Sequence, residues 1–177
     1  MLAIAKACSQ GELAAEVVLV ASNRPDSAGI EAAGKLGLNT AIIDHKSYEA
    51  RSDFEAALTQ CLQKVEPDWI VLAGFMRILG DEFVRCWRGN IVNIHPSLLP
   101  LYPGLDTHQR ALDAGDAEAG ASVHIVTSEL DAGPVIAQVR VPILPGDTSD
   151  TLSARIISTE HELYVQALKQ CIDNDPR

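Results

Sequence analysis

The stretch DWIVLAG, Asp68–Gly74, decides the fold. A charged residue opens it, apolar residues follow without interruption, and a glycine ends it. Such a run reads as a strand buried on both faces, because a strand with one wet face would alternate. EVVLVAS, Glu16–Ser22, has the same character. Between the two, Phe54, Ala57, Leu58, Cys61, Leu62 and Val65 recur at steps of three and four, the spacing of an amphipathic helix. SAGIEAAGKLG predicts an earlier helix ending at Gly37, and NTAIID the strand after it. Strand, helix, strand, helix, strand implies a parallel sheet with helices on its faces.

Downstream, DEFVRCW predicts a short helix with Asp81 suited to its first turn, and NIVNI another strand. ASVHIVTSEL and PVIAQVRVPIL are longer and partly alternating; the turn-like DAGP between them predicts an antiparallel hairpin. GDTSDTLSARIISTEHELYVQALKQCI closes the chain as a long helix, with Thr148 or Ser149 as its cap. At the other end, MLAIAKACSQG reads as the body of a helix with no strand and no glycine-rich turn before it. With no repeats or linker, residues 1–177 are expected to form one domain.

Composition limits the function. Apolar residues make up 47% of the chain, which suits a packed core, and the formal charge is −10. An acidic surface repels phosphate backbones and anionic lipid, which argues against nucleic acid and membranes as partners. The four cysteines are scattered without framework spacing, and no run is long enough for a membrane span. A reduced, cytoplasmic enzyme is the expectation. The five histidines lack metal-ligand spacing, so no metal is expected, and His124 inside a strand reads as structural.

The chemistry gathers at strand ends, where ligands of open parallel sheets bind. IVNIHPSLLPLYPG, Ile91–Gly104, places Asn93 and His95 at such an end, and its prolines stiffen the loop that follows. GFMRIL, Gly74–Leu79, follows another strand, and Asp131 sits at the tip of the expected hairpin. Brought together, Asn93 would offer an N–H to a developing oxyanion, and Asp131 would favour the charged form of the His95 imidazole. That set suits acyl-type transfer. Ser97 lacks the context of a nucleophile elbow, so direct transfer between two bound substrates is expected, without a covalent intermediate. Singly, each residue also has a plain reading: a loop histidine, a turn aspartate, an asparagine capping a strand.

LAGFMRIL, NIHPSLLPLYPGLDTHQRAL and SVHIVTSELDAGPVIAQVRVPI together resemble the phosphoribosylglycinamide formyltransferases of purine biosynthesis, from about Val17 to the final helix. The resemblance implies a three-layer αβα Rossmann-like fold, mostly parallel, with the antiparallel hairpin and the long last helix. It implies formyl transfer from 10-formyltetrahydrofolate, as co-substrate, to the amine of glycinamide ribonucleotide. On that mapping His95 handles the proton, Asp131 holds it, and Asn93 binds the formyl oxygen. Met76, Arg77, Ile78 and Leu79 line the folate pocket, faced by Thr127, Ser128, Glu129, Leu130 and Asp131. Arg51 matches a folate-side arginine, with a solvated cation at a helix start as the alternative. Glu160, which interrupts the apolar stripe between Ile156 and Leu163, matches a residue contacting the ribonucleotide.

Measured against that family, the first strand and a Gly-Asn-Gly-Ser-Asn-like phosphate loop have no counterpart here. A chain truncated in this way is expected to leave an apolar slot and unpaired strand edges in the sheet. Two further readings stay open: a hydrolase releasing formate from 10-formyltetrahydrofolate, and a folate-binding remnant without turnover. The partners expected are small molecules, and the oligomeric state is open between monomer and homodimer.

Overall fold

Ile91 and Val92 explain the architecture of the chain. Neighbours on a strand point to opposite faces, and both residues are fully buried, each in a different hydrophobic cluster. Covering each is worth about 2 kcal/mol, so the strand that carries them lies in a middle layer. In this computed structural model, which describes residues 1–175, it does.

The elements run α1 (Leu2–Ser9), β1 (Val20–Ser22), α2 (Ala28–Lys35), β2 (Thr40–Ile42), α3 (Arg51–Gln63), β3 (Ile70–Leu72), α4 (Asp81–Cys86), β4 (Ile91–His95), α5 (Thr107–Ala114), β5 (Glu118–Ile125), β6 (Val135–Pro142) and α6 (Ser149–Asp173). Val92 joins Ala7, Ala111, Leu152, Ile156 and Leu168 from α1, α5 and α6 on one face. Ile91 joins Phe54, Leu58, Leu62 and Phe83 from α3 and α4 on the other. The three-layer αβα expectation holds.

Pairing follows the reading from sequence in most places. β1–β2 and β3–β4 are parallel, and β5–β6 is the antiparallel hairpin. Antiparallel pairing also extends to β4–β5, one ladder further than the hairpin alone required. β1 and β3 lie in separate sheets, so among the described residues each keeps one edge without a ladder partner. The family resemblance implied such edges. α5 had not been foreseen. It is short, and it begins after Asp106 in a left-handed conformation with no side-chain cap to announce it. Of the two cap candidates for α6, Thr148 serves: its hydroxyl accepts from the Thr151 N–H, and its own N–H donates to the Thr151 hydroxyl. A reciprocal cap of this kind contributes about 1 kcal/mol.

Candidate active site

The register of β4 against β5 builds the site. Asn93 lies opposite His124, and His95 opposite Ser122. Directly opposed residues share a face, so these four polar side chains stand on the side that also carries Ile91 and faces α3 and α4. β5 runs against β4 and ends with Ile125 opposite Val92. The segment after it therefore starts beside the first residues of β4, with the Val126 N–H donated to the Ile91 carbonyl. Asp131 does not come from the same sheet edge as His95, contrary to the picture of converging strand ends. The segment between β5 and β6 folds back over the sheet and delivers it. Gly133 permits that path, since a Cβ there would overlap the Ile125 carbonyl.

The carboxylate of Asp131 is the hub. Its Oδ2 lies 3.4 Å from His95 Nδ1 and accepts the Gly104 N–H at 2.9 Å, while Oδ1 lies 3.7 Å from His124 Nε2. The other nitrogen of His95, Nε2, donates to the Tyr102 carbonyl at 2.9 Å, and the residue is only 6% exposed. Both nitrogens of that ring are thus engaged, one by the loop and one by Asp131. Asn93 directs Nδ2 to His124 Nε2 at 3.3 Å, and His124 Nδ1 lies 3.0 Å from the Ile125 carbonyl. Burial pushes the His124 imidazole down; its bond to Ile125 and the nearby Asp131 oppose that shift.

The loop after His95 is held by more than its prolines. Ser122 Oγ donates to the Ser97 carbonyl at 2.6 Å and accepts the Leu99 N–H at 3.0 Å. Gln138 on β6 donates to the Leu99 carbonyl at 2.8 Å, and Arg110 on α5 donates to the carbonyls of Pro103 and Leu105. The two buried bonds of Ser122, each worth about 1 kcal/mol net, and the more exposed ones of Gln138 and Arg110 fix the segment that carries Tyr102 and Gly104 to His95 and Asp131.

An amide, two imidazoles and a carboxylate around one patch of sheet can bind a carbonyl oxygen and move a proton beside it. Residues 1–168 match the formyl transferase family. The chain belongs to that family. It is 45% identical to phosphoribosylglycinamide formyltransferase of Escherichia coli K12 over 162 residues, 92% of this chain and 76% of that one. It is 46% identical to the trifunctional purine biosynthetic protein adenosine-3 of Drosophila melanogaster over 90% of its own length, but spans only 12% of that protein. Among solved structures, phosphoribosylglycinamide formyltransferase from Brucella melitensis matches with a TM-score of 0.90 at 45% identity, covering 95% of this chain and 86% of that one.

In this member of the formyl transferase family the other residues singled out from the sequence lie on α3, on the loop after β3, on the segment after β5 and on α6. β3 and β4 are parallel with Leu72 beside Asn93, so Met76–Leu79 leaves the sheet at the edge where His95 ends β4. Leu79 is buried with Phe54, and Arg77 lies over the Phe54 ring at 5.7 Å. Met76 is 78% exposed, with Ile78 and Leu130 also largely exposed. Val126, just before Thr127, packs in the cluster of Phe75 and Leu79, which brings the segment holding Thr127, Ser128, Glu129, Leu130 and Asp131 toward this loop. Arg51, half exposed, lies 3.6 Å from the buried Glu55 carboxylate, which accepts the Gly80 N–H at 2.8 Å. It is therefore tied to the end of the Met76–Leu79 loop and is not a free cation. Gly80 allows this approach, because a Cβ would sit 2.7 Å from Glu55 Oε2.

Glu160 on α6 is half-buried. Burial pushes its carboxyl up, and the imidazoles of His161 and His95 pull it back, so it lies within electrostatic reach of His95. His108 on α5 is pushed down by burial and then by His95; its Nε2 is buried with no hydrogen-bond partner among the described residues. Reading the sequence took His124 as structural and did not foresee that it meets Asn93 and Asp131. The signal was the alternation of Ser122 and His124 within SVHIVT, which becomes meaningful once that strand is laid antiparallel to Asn93 and His95. Among the described residues no His, Cys, Asp and Glu group could hold a metal ion, and no helix is long and apolar enough to cross a membrane.

Proposed function

We propose that this chain transfers the formyl group of 10-formyltetrahydrofolate to the amine of glycinamide ribonucleotide. The observation that carries the reading is that His95 Nδ1 lies 3.4 Å from Asp131 Oδ2, with Asn93 two residues earlier on the same face of β4, in a chain so similar to proteins of that name. In this mechanism Asn93 donates an N–H to the formyl oxygen as the amine attacks the formyl carbon and the oxygen gains charge. With Nδ1 held beside Asp131, His95 carries the proton from the attacking nitrogen to the departing folate nitrogen on Nε2, once Nε2 exchanges its bond to the Tyr102 carbonyl for one to substrate. No covalent enzyme intermediate is needed. Asp131 orients the imidazole and stabilises its charged form.

The exposed apolar surface of Met76, Ile78 and Leu130 suits the flat folate, with backbone groups of Met76–Leu79 and Thr127–Asp131 for its polar edge. Arg51 is assigned to the folate side and Glu160 to the ribonucleotide. Incubation of the purified chain with both substrates, followed by separation of products, tests the reading. Formylated ribonucleotide is expected. Formate released without any amine acceptor indicates the hydrolase, and folate binding without turnover at high ribonucleotide indicates the remnant.

A further inference from the structure

His124 is 2% exposed, lies inside β5, and touches both Asn93 and Asp131. Its hydrogen bonds define its protonation. The Ile125 carbonyl, 3.0 Å from Nδ1, can only accept, so Nδ1 carries a hydrogen. A neutral ring then has a lone pair on Nε2, which must face a donor. The neighbour within hydrogen-bonding distance is the Asn93 amide nitrogen at 3.3 Å; Asp131 Oδ1, at 3.7 Å, is too far to bond. Turning the Asn93 amide over would set its oxygen against that lone pair. A hydrogen on Nε2 would have the opposite effect: it would draw Asp131 away from His95 and invite the Asn93 oxygen inward. Burial, which favours the neutral ring, works against that state.

We propose that His124, held as its Nδ1–H tautomer, is a positioning residue that locks the Asn93 amide with one N–H on His124 and the other free for the formyl oxygen. The proposal rests on the reading of Asn93 as the group that polarises that oxygen. An asparagine bound on one side only could present either end of its amide to substrate; bound to a lone pair, it presents a donor.

Two measurements on the full chain separate this proposal from the function it rests on. Nitrogen-15 NMR of the ligand-free protein reports the tautomer directly, whether or not the chain turns over. A protonated Nδ1 and a bare Nε2 are expected, with an Asn93 side-chain N–H resonance displaced by the bond, lost in His124→Leu and kept in His124→Gln. Glutamine keeps an acceptor near the Nε2 position. Kinetics supply the second measurement. His124→Leu is expected to lower kcat on the order of 10- to 100-fold with little change in the KM for folate, His124→Gln to restore most of it, and His124→Leu to add almost nothing in an Asn93→Ala background. A hydrogen found on Nε2, a glutamine variant as impaired as leucine, or an undiminished loss in the Asn93→Ala background overturns the proposal.

Discussion

Asp131 Oδ2 touches His95 Nδ1 at 3.4 Å while it also accepts the Gly104 N–H at 2.9 Å. One oxygen therefore ties the histidine at the end of β4 to the loop that follows it, from a segment that begins at the far end of the neighbouring strand. Asp131 adopts a left-handed conformation, φ +50°, to do so. Non-glycine residues enter that region at a cost, asparagine and aspartate more readily than most, and strain of this kind persists where surrounding contacts fix it.

His95→Ala is expected to lower transfer by roughly 10²- to 10⁴-fold, the usual range for a lost acid–base group, with folate affinity largely retained in a fluorescence titration. Asp131→Asn keeps the shape and removes the carboxylate beside His95 Nδ1, so it should lower kcat with little change in the KM for folate. An unchanged kcat would remove Asp131 from the proton-handling role.

Much of this was legible along the chain, and the reasons are local. The uninterrupted apolar runs around Val20 and Val71 reported two parallel strands, although β1 exposes Ala21 and β3 is only partly covered, short of the burial on both faces that the runs implied. Asn93 and His95 stood out as polar groups at the end of such a run. The contact of His124 with Asn93 was not legible, because a histidine in a strand acquires meaning only from its cross-strand partner, and β4–β5 pairing joins residues distant in sequence. The tether of Arg51 through Glu55 to Gly80 was hidden for the same reason. Local pattern fixes which elements form. Register and loop path decide which side chains meet.

Tyr164 on α6 directs its hydroxyl at the carbonyls of Leu72 and Val92, 2.7 and 3.0 Å away, and so bridges the two parallel strands that present the site. Burial pushes its phenol well above its ordinary range, so it stays a donor at any working pH. Tyr164→Phe should cost about 1–2 kcal/mol by urea unfolding, since the one hydroxyl hydrogen that the two carbonyls share is lost. Unchanged stability would show that those carbonyls are satisfied without it.

Asp147 accepts both terminal nitrogens of Arg155 at 2.7 Å, the Leu144 N–H at 2.8 Å and the Thr151 hydroxyl at 2.9 Å. The Arg155 guanidinium first, then the Leu144 N–H, holds this carboxyl well below the usual carboxylate range. The unfolded chain therefore binds the proton more tightly, and the contribution of the pair is complete above the ordinary value of about 3.9. It fades as pH falls below that. Asp147→Asn should melt below the parent protein at pH 7, with the gap closing on acidification from about pH 4. A gap independent of pH would mean that lost hydrogen bonds, and not charge, account for it.

Glu160 should show the opposite sign. Burial raises its carboxyl above the ordinary value, so ionisation is harder in the folded state than in the unfolded chain. Above about pH 4.3 the charge destabilises the fold. Glu160→Gln is then expected to raise the melting temperature at pH 7, and the gain should vanish near pH 4, where the parent carboxyl is itself protonated. If Glu160 serves the ribonucleotide, the same substitution raises the KM for glycinamide ribonucleotide and leaves the KM for folate unchanged. A residue that lowers stability while improving one substrate's binding is what a functional acid in a half-buried position should look like. A higher melting temperature with both KM values unaltered would place Glu160 outside the substrate site and leave its burial to helix packing alone.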